Sequence, residues 1–294
     1  MIKLKRLTFK DKKNIQEFTG QFYPYSDFNF TSLWCYNIEN DVEYFLDKNV
    51  FVIRLRDYLT NKPIYSFLSK NSTSELVNNL LTIAGSEGVE KKLRLVPEQS
   101  VNKKVLSNPD LIVKADRNNF DYITSTKITS SLMGRNFIHK RHHLSQFRKF
   151  NSGCLLKISN GKSKNEKTQI MKLFDKWATK KNSDSAHERV ALYRLLKFID
   201  KLTITLIGLW DKDELVGFVL DEKLGRYALG HFMKADISYK HIYDMLFFQA
   251  VKHWYKSGCQ YLNYEQDLGL EGLRKTKLSW HPAKFLKKYV ISAR

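Results

Sequence analysis

The 294 residues include 50 Lys and Arg against 30 Asp and Glu, a formal net charge of +20, and 43% of them are hydrophobic. Nineteen Phe and fifteen Tyr argue against a disordered basic protein, because disordered chains are poor in aromatics, and the length suffices for two domains with their own cores. Three widely spaced cysteines, Cys35, Cys154 and Cys259, argue against a disulfide framework or a CxxC zinc site, and no segment approaches the roughly 20 apolar residues of a membrane span.

IKLKRLTF alternates and predicts a first strand. DKKNIQEFTGQ predicts a short helix with Asp11 at or near its cap. YPYSDFNFTSLWCYN is aromatic without a clean period, which suits a structured loop and short helix. VEYFLDKNVFVIRLRD and KPIYSFLSK have the β-branched and aromatic content of paired strands. STSELVNNLLTIAG reads as a helix capped by Ser72 or Thr73, and KKLRLVP as another strand. A helix from about Glu98 to Leu106 then leads to a strand pair, LIVKAD and FDYITS. The first half is therefore α+β or α/β and ends near Ser125.

The second half opens with STKITSSLMGRNFIHKRHHLSQFRKFNS and the strand CLLKIS. NEKTQIMKLFDKWATKK is a helix with Ile170, Phe174 and Trp177 on one face, and HERVALYRLLKFID a second with Val190, Tyr193, Leu196 and Lys197 at similar spacing. Three strands follow, LTITLIGLW, ELVGFVLDEKL and RYALGHFMKA, with a hairpin turn at Asp211–Asp213. ISYKHIYDMLFFQAVKHWYKSG is an amphipathic helix stopped by Gly258, and CQYLNYE is the strand after it. This order predicts a mixed sheet flanked by helices, with a looser version in the first half: an N-terminal domain over 1–125 and a C-terminal one over 126–294.

The net charge predicts attraction to nucleic acid, anionic lipid headgroups or a phosphorylated small molecule. From Tyr122 to Asn165 there are nine Lys or Arg and no Asp or Glu. On a helix there, Phe137, Leu144 and Phe147 would face protein, while Lys140, Arg141 and Arg148 line an exposed or cleft-facing flank that attracts phosphates, with His143 and Lys149 beside them. A merely solvated helix face is the plainer alternative.

No Walker A loop, dinucleotide fingerprint, HExxH or nucleophile elbow is present. His142 and His143, adjacent on a helix, point in different directions, so no metal site is expected from them. The tail YEQDLGLEGLRKTKLSW is more informative. Gly269 and Gly272 follow the last core strand, where glycine permits a tight turn or close approach to ligand. If LEGLRKTKLS opens a helix, its N–H groups with Arg274, Lys275 and Lys277 form an anion-binding mouth. Glu265 and Asp267, at a strand end, suit a substrate amine or the orientation of those cations. Acids followed by bases also form ordinary salt-bridged helix faces.

NYEQDLGLEGLRKTKLSWHP, Asn263 to Pro282, resembles the signature of the phosphatidylglycerol lysyltransferase C-terminal domain family. The resemblance continues in YPYSDFNFTSLWCY and MGRNFIHKRHHLSQFRKF and covers nearly the whole chain. It implies two tandem acetyltransferase-like (GNAT-like) domains. It also implies transfer of an aminoacyl group from charged tRNA, in characterised full-length members to the headgroup of an anionic phospholipid. Those members carry a multi-span membrane domain ahead of the soluble part, which this sequence lacks. The family pattern points at Glu265, Asp267, Glu271, Arg274 and Lys277, at Arg141 and His143, and at Asp27. Departures are Tyr264, where members often have Arg, Met233, where they tend to have Glu, and Arg141–His142–His143 in place of the usual RNH. These imply a changed amino-acid preference or weakened catalysis.

The expected activity is thus aminoacyl transfer from tRNA to an amine- or hydroxyl-bearing acceptor, without metal, cofactor or covalent nucleophile. Lys140, Arg141, His143, Arg148 and Lys149 would hold tRNA or headgroup phosphates, with Asp27, Glu271, Gly269 and Gly272 as further substrate contacts. Glu265 or Asp267 would recognise the α-amino group, and Arg274 and Lys277 would stabilise the tetrahedral intermediate. An acyl-coenzyme A-dependent N-acyltransferase is one alternative, although ALGHFMKADISYKH supplies only Gly230 for a pyrophosphate turn. A non-catalytic binder of RNA or anionic membrane is the other. The expected location is the cytoplasm, peripheral at a membrane surface if lipid is the acceptor.

Overall fold

The computed structural model describes residues 2–181 and 185–294. In chain order the first elements are β1 (Lys5–Arg6), α1 (Lys12–Thr19), α2 (Phe30–Cys35), β2 (Glu43–Leu46), β3 (Val50–Arg56), β4 (Pro63–Ser69), α3 (Ser74–Ser86), β5 (Lys92–Pro97), α4 (Lys103–Leu106) and β6 (Leu111–Ala115). After them come β7 (Asp121–Ser125), α5 (Thr126–Ser131), α6 (Ile138–Phe150), β8 (Cys154–Ser159), α7 (Lys164–Lys181), α8 (Ala186–Phe198), β9 (Ile204–Asp211), β10 (Glu214–Leu224) and β11 (Tyr227–Ala235). The chain finishes with α9 (Ile242–Lys256), β12 (Tyr261–Asn263), α10 (Glu271–Leu278), β13 (Lys284–Leu286) and β14 (Lys288–Ala293).

The architecture is mixed α/β, with two seven-stranded mixed sheets flanked by helices. One sheet runs β1-β2-β3-β4-β5-β14-β6 and the other β13-β7-β12-β11-β10-β9-β8. Both follow one plan. An antiparallel meander ends in a strand, a helix crosses over, and the next strand returns parallel: β4 beside β5 around α3, and β11 beside β12 around α9.

β6 and β7, expected as a pair, lie in different sheets. β6 pairs antiparallel with β14 and β7 with β12. A tight turn at Asp116–Asn119, closed by Asn119 N–H to the Asp116 carbonyl at 3.0 Å and by their side chains at 2.8 Å, redirects the chain rather than returning it as a hairpin. The basic tail KFLKKYVISA supplies β13 and β14, and β14 lies between β5 and β6. The two compact units are accordingly discontinuous: residues 1–121, 266–275 and 285–294 make one, residues 122–265 and 276–284 the other. In the first, Val52, Tyr65, Phe67, Leu80 and Leu93 form the core together with Ile291 of β14. In the second, α7 and α9 both pack on β10 and β11.

Local details follow side-chain chemistry. Thr73 caps α3 by accepting from the Leu76 N–H at 3.1 Å. Asp11 precedes α1 but its carboxylate turns back to the Thr8 N–H and hydroxyl, both at 2.8 Å. α8 buries Ala191, Leu192, Leu195 and Leu196 and leaves Val190 and Tyr193 exposed, one position away from the expected face; VALYRLL is apolar enough to satisfy either register. α9 begins at Ile242 rather than near Ile237, because His241 is left-handed at φ 64° and interrupts the helix.

Candidate functional site

β12 pairs with β11 only at Tyr227–Leu229, whereas β11 continues to Ala235. The two parallel strands part company after Asn263, and Glu265, just beyond β12, is near enough to act on Lys234 in the stretch of β11 that pairs with β10 but no longer with β12. Glu265 is half-buried there, with φ 60°. Its N–H donates to Asn263 Oδ1 at 2.8 Å and its carbonyl accepts from the Tyr122 N–H at 3.1 Å, so the backbone carrying this carboxylate is fixed on both sides.

Lys234 occupies the same stretch of β11. Its Nζ donates to Glu188 Oε1 of α8 at 2.7 Å and stands 3.9 Å from the centroid of the Trp177 ring of α7. Burial pulls this ammonium below the ordinary lysine value, opposed first by Glu188 and also by the charge of Glu265. Sequence reasoning missed Lys234; the available signal was a lysine near the C-terminal end of a largely apolar nine-residue strand, between Met233 and Ala235.

Tyr264 and Lys277 hold each other. The buried Tyr264 hydroxyl donates to the Lys277 carbonyl at 3.0 Å, and Lys277 Nζ donates to the Tyr264 carbonyl. The Lys277 ammonium also stands 5.7 Å and 5.4 Å from the Tyr122 and Tyr264 ring centroids. Lys277 thus fixes the end of α10 to the strand end that carries Glu265.

Phe137, just before α6, and Leu144 and Phe147 on it are buried as the spacing predicts, and Arg141, Arg148 and Lys149 are exposed. Arg141 donates to the carbonyls of Leu132 and Gly134, so part of its guanidinium stabilises the turn before the helix. Lys140 departs from its expected place: it is buried, bonded to Asp244 Oδ1 at 2.7 Å, with its Nζ 4.5 Å from the Trp280 centroid. A lysine one turn from Phe137 and Leu144 shares their inward face, and the acid on α9 accepts its charge. His143 Nδ1 meets Asp244 Oδ2 at 2.6 Å and its ring stacks on His241 at 4.0 Å. These side chains, with Tyr239 and Ser279, line a pocket of about 380 Å³. His143, His241 and Asp244 place three potential ligand atoms within 4.8 Å of one another. The imidazole planes lie only 16° apart, however, so their lone pairs run side by side instead of converging, and Lys140 already occupies the carboxylate.

The remaining expected residues lie in the first unit. Asp267 is fully buried and accepts a two-pronged bond from Arg274 at 2.8 Å for each prong, a third from Arg117 at 3.3 Å and a fourth from the Gly269 N–H at 2.8 Å. Its oxygens are taken by donors, which makes Asp267 and Arg274 a clamp on the start of α10. Gly269 has φ 76°, and a Cβ there would lie 2.9 Å from Asn118 Nδ2. Gly272 has open space around it, and Glu271 forms an exposed pair with Lys275 at 2.6 Å. Asp27 is fully buried: Lys288 bridges it to Asp121, at 2.7 Å on the Asp121 side, and the Tyr58 hydroxyl donates to it at 2.8 Å. Burial pushes the Asp27 carboxyl up, with Lys288 opposing.

Residues 88–292 match the family model described as phosphatidylglycerol lysyltransferase, C-terminal. The chain belongs to this family. The matched span of the phosphatidylglycerol lysyltransferase C-terminal family runs from the end of α3 through both sheets into β14 and includes Lys234, Glu265 and Lys277. Three solved structures share the fold. A conserved Bacteroides thetaiotaomicron protein of unknown function superposes with a TM-score of 0.86 at 23% identity, covering 100% of both chains. The C-terminal domain of an Agrobacterium fabrum protein assigned as a lysylphosphatidylglycerol synthetase gives 0.68 at 12% identity, over 96% of this chain and 90% of that one. L-PGS from Bacillus licheniformis gives 0.65 at 14% identity, over 96% and 91%. No curated protein matches the chain. Among the described residues, no helix is long and apolar enough to cross a membrane.

Proposed function

We propose that the chain transfers an aminoacyl group from a charged tRNA to a hydroxyl or amine acceptor. Membership of the phosphatidylglycerol lysyltransferase C-terminal family supports transferase chemistry, and the observation that carries the reading to particular residues is the placement of Glu265 and Lys234 where β11 and β12 separate. The Glu265 carboxylate recognises the α-ammonium of the aminoacyl moiety. The Lys234 ammonium, kept in place by Glu188 and Trp177, stabilises negative charge on the carbonyl oxygen as the acceptor attacks. The acceptor O or N bonds to the carbonyl carbon, the ester C–O bond to ribose breaks, and the acceptor's proton passes to the ribose oxygen. Nothing is oxidised or reduced. Exposed cations on α6, Arg141 among them, supply phosphate contacts to the donor.

The acyl-coenzyme A alternative is less favoured by the charge at the start of α9. Asp244 sits in the first turn, and its carboxylate, already held by Lys140 and His143, stands among the helix N–H groups that a pyrophosphate would use.

The test is a time course with labelled aminoacyl-tRNAs and vesicles containing phosphatidylglycerol, counting label in lipid, on tRNA and free. Wild-type protein should move or release label. Glu265→Gln and Lys234→Met should each lower the rate about 100-fold or more while remaining folded. Unchanged rates in both variants would remove these residues from the chemistry. No loss of label from any tRNA in the pool would remove the donor.

A further inference from the structure

At the C-terminal end of α6 the exposed side chains change character. Phe150 is 65% exposed, and in the next strand Leu155, Leu156 and Ile158 are 57%, 39% and 44% exposed. Four large apolar residues within nine positions are thus left in water, well beyond the scattered single exposures of an ordinary surface. β8 is the last strand of its sheet, so its outer edge has no partner strand among the described residues. Leu156 also forms one wall of a groove of about 330 Å³ with Phe147, Cys154, Leu209 and Met245, and Arg148 stands at its rim. Ile158 follows Leu156 on the same strand face.

The charge around this apolar edge is predominantly positive. Arg148, Lys149, Lys157, Lys162 and Lys164 lie within it or directly beside it in sequence, and no acid occurs between Tyr122 and Asn165. The acid paired across from Cys154, Asp211, accepts the Tyr239 hydroxyl at 2.7 Å. Glu166, beyond the strand, accepts from Ser159 and Ser163. We propose that the α6–β8 edge is a docking surface for an anionic lipid bilayer, with Phe150, Leu156 and Ile158 entering the headgroup–acyl boundary and the surrounding cations neutralising lipid phosphates.

Apolar side chains at the edge of a cationic surface are the two complementary requirements of interfacial binding. Both occur on the second unit alone, and neither depends on the assignment of Glu265 or Lys234. The competing occupant of an open strand edge is a second copy of the chain. Antiparallel pairing of β8 with its own copy would bring two sets of these cations together with no acid in the stretch from Tyr122 to Asn165 to offset them, which opposes it.

Flotation of the full chain with vesicles of phosphatidylcholine, alone or mixed with phosphatidylglycerol, tests the proposal without requiring turnover. Wild-type protein should float with the mixed vesicles and much less with phosphatidylcholine alone. Phe150→Glu/Ile158→Glu, at positions exposed enough to leave folding intact, should weaken binding at least about tenfold. Arg148→Glu/Lys149→Glu should weaken it about thirtyfold or more and reduce its sensitivity to salt. Failure of wild-type protein to float would overturn the proposal. So would flotation unaltered by either pair of changes, which would mean diffuse attraction of the whole cationic chain. Light scattering that showed a dimer abolished by Phe150→Glu/Ile158→Glu would assign the edge to self-pairing instead.

Discussion

Asp221 lies within β10, fully buried, with Trp254 Nε1 donating to one oxygen at 2.7 Å and no hydrogen-bond partner on the other. Burial raises its carboxyl from 3.8 to about 7, against the opposing bond from Trp254. The unfolded chain therefore ionises this group first as pH rises. Between pH 4 and 7 the folded state holds the extra proton, so stability falls with rising pH through that window and levels off above it, by on the order of 4 kcal/mol in total. Asp221→Asn should lose this slope and gain on the wild type as pH increases; urea midpoints from pH 4.5 to 8 measure the difference, and parallel curves would contradict it. At this scale the sequence was a partial guide. It anticipated the buried face formed by Phe137, Leu144 and Phe147, and it singled out Glu265 and Lys277 as site candidates. It could not distinguish Lys140 and Lys234 from solvated lysines, because their burial depends on Asp244 and Glu188, which are 104 and 46 positions away. Asp267 and Asp27 stood out as acids; the pairing of Asp267 with Arg274 was one of the two readings its motif offered, whereas Arg117 on Asp267 and Lys288 on Asp27 became visible only on folding.

The elements were legible wherever the hydrophobic period was local. α3 and α9, the β9–β11 meander and the stop at Gly258 all follow from spacing and end signals. The partnerships of β6 and β7 did not, since β14, the neighbour of β6, comes from a stretch whose lysines conceal its alternation. Gly269 offers a test of how closely α10 depends on its entry turn. Its φ of 76° and the 2.9 Å approach of a Cβ to Asn118, which itself accepts from Arg274 at 2.7 Å, leave no room for a side chain. Gly269→Ala should cost about 1–3 kcal/mol in chemical denaturation. Gly272→Ala, inside the helix with open space around it, should be neutral or stabilise by up to about 1 kcal/mol. Equal effects at the two glycines would refute the distinction.

At the scale of the whole molecule, residues 285–294 complete a sheet whose other strands lie before residue 116. Lys288 is the buried cation between Asp27 and Asp121; burial is the largest single influence and pulls its pKa down, but the combined attraction of the two carboxylates outweighs it and the net shift is upward. Deleting 285–294 removes Ile291 from the core and leaves two buried acids without their cation, a loss of at least about 3–5 kcal/mol from the ion network alone. Amides of β5 and β6 should then lose hydrogen-exchange protection while those of β10 and β11 retain it; protection kept in β5 and β6 would show that the sheet closes without β14. The same feature sets a schedule during synthesis on the ribosome. Asp121 emerges 167 residues before Lys288, a delay of about 10–30 s at ordinary elongation rates. Throughout that interval the nascent β5 and β6 have exposed edges and the buried acids have no counterion, so the earliest part of the chain to be made is among the last to become native.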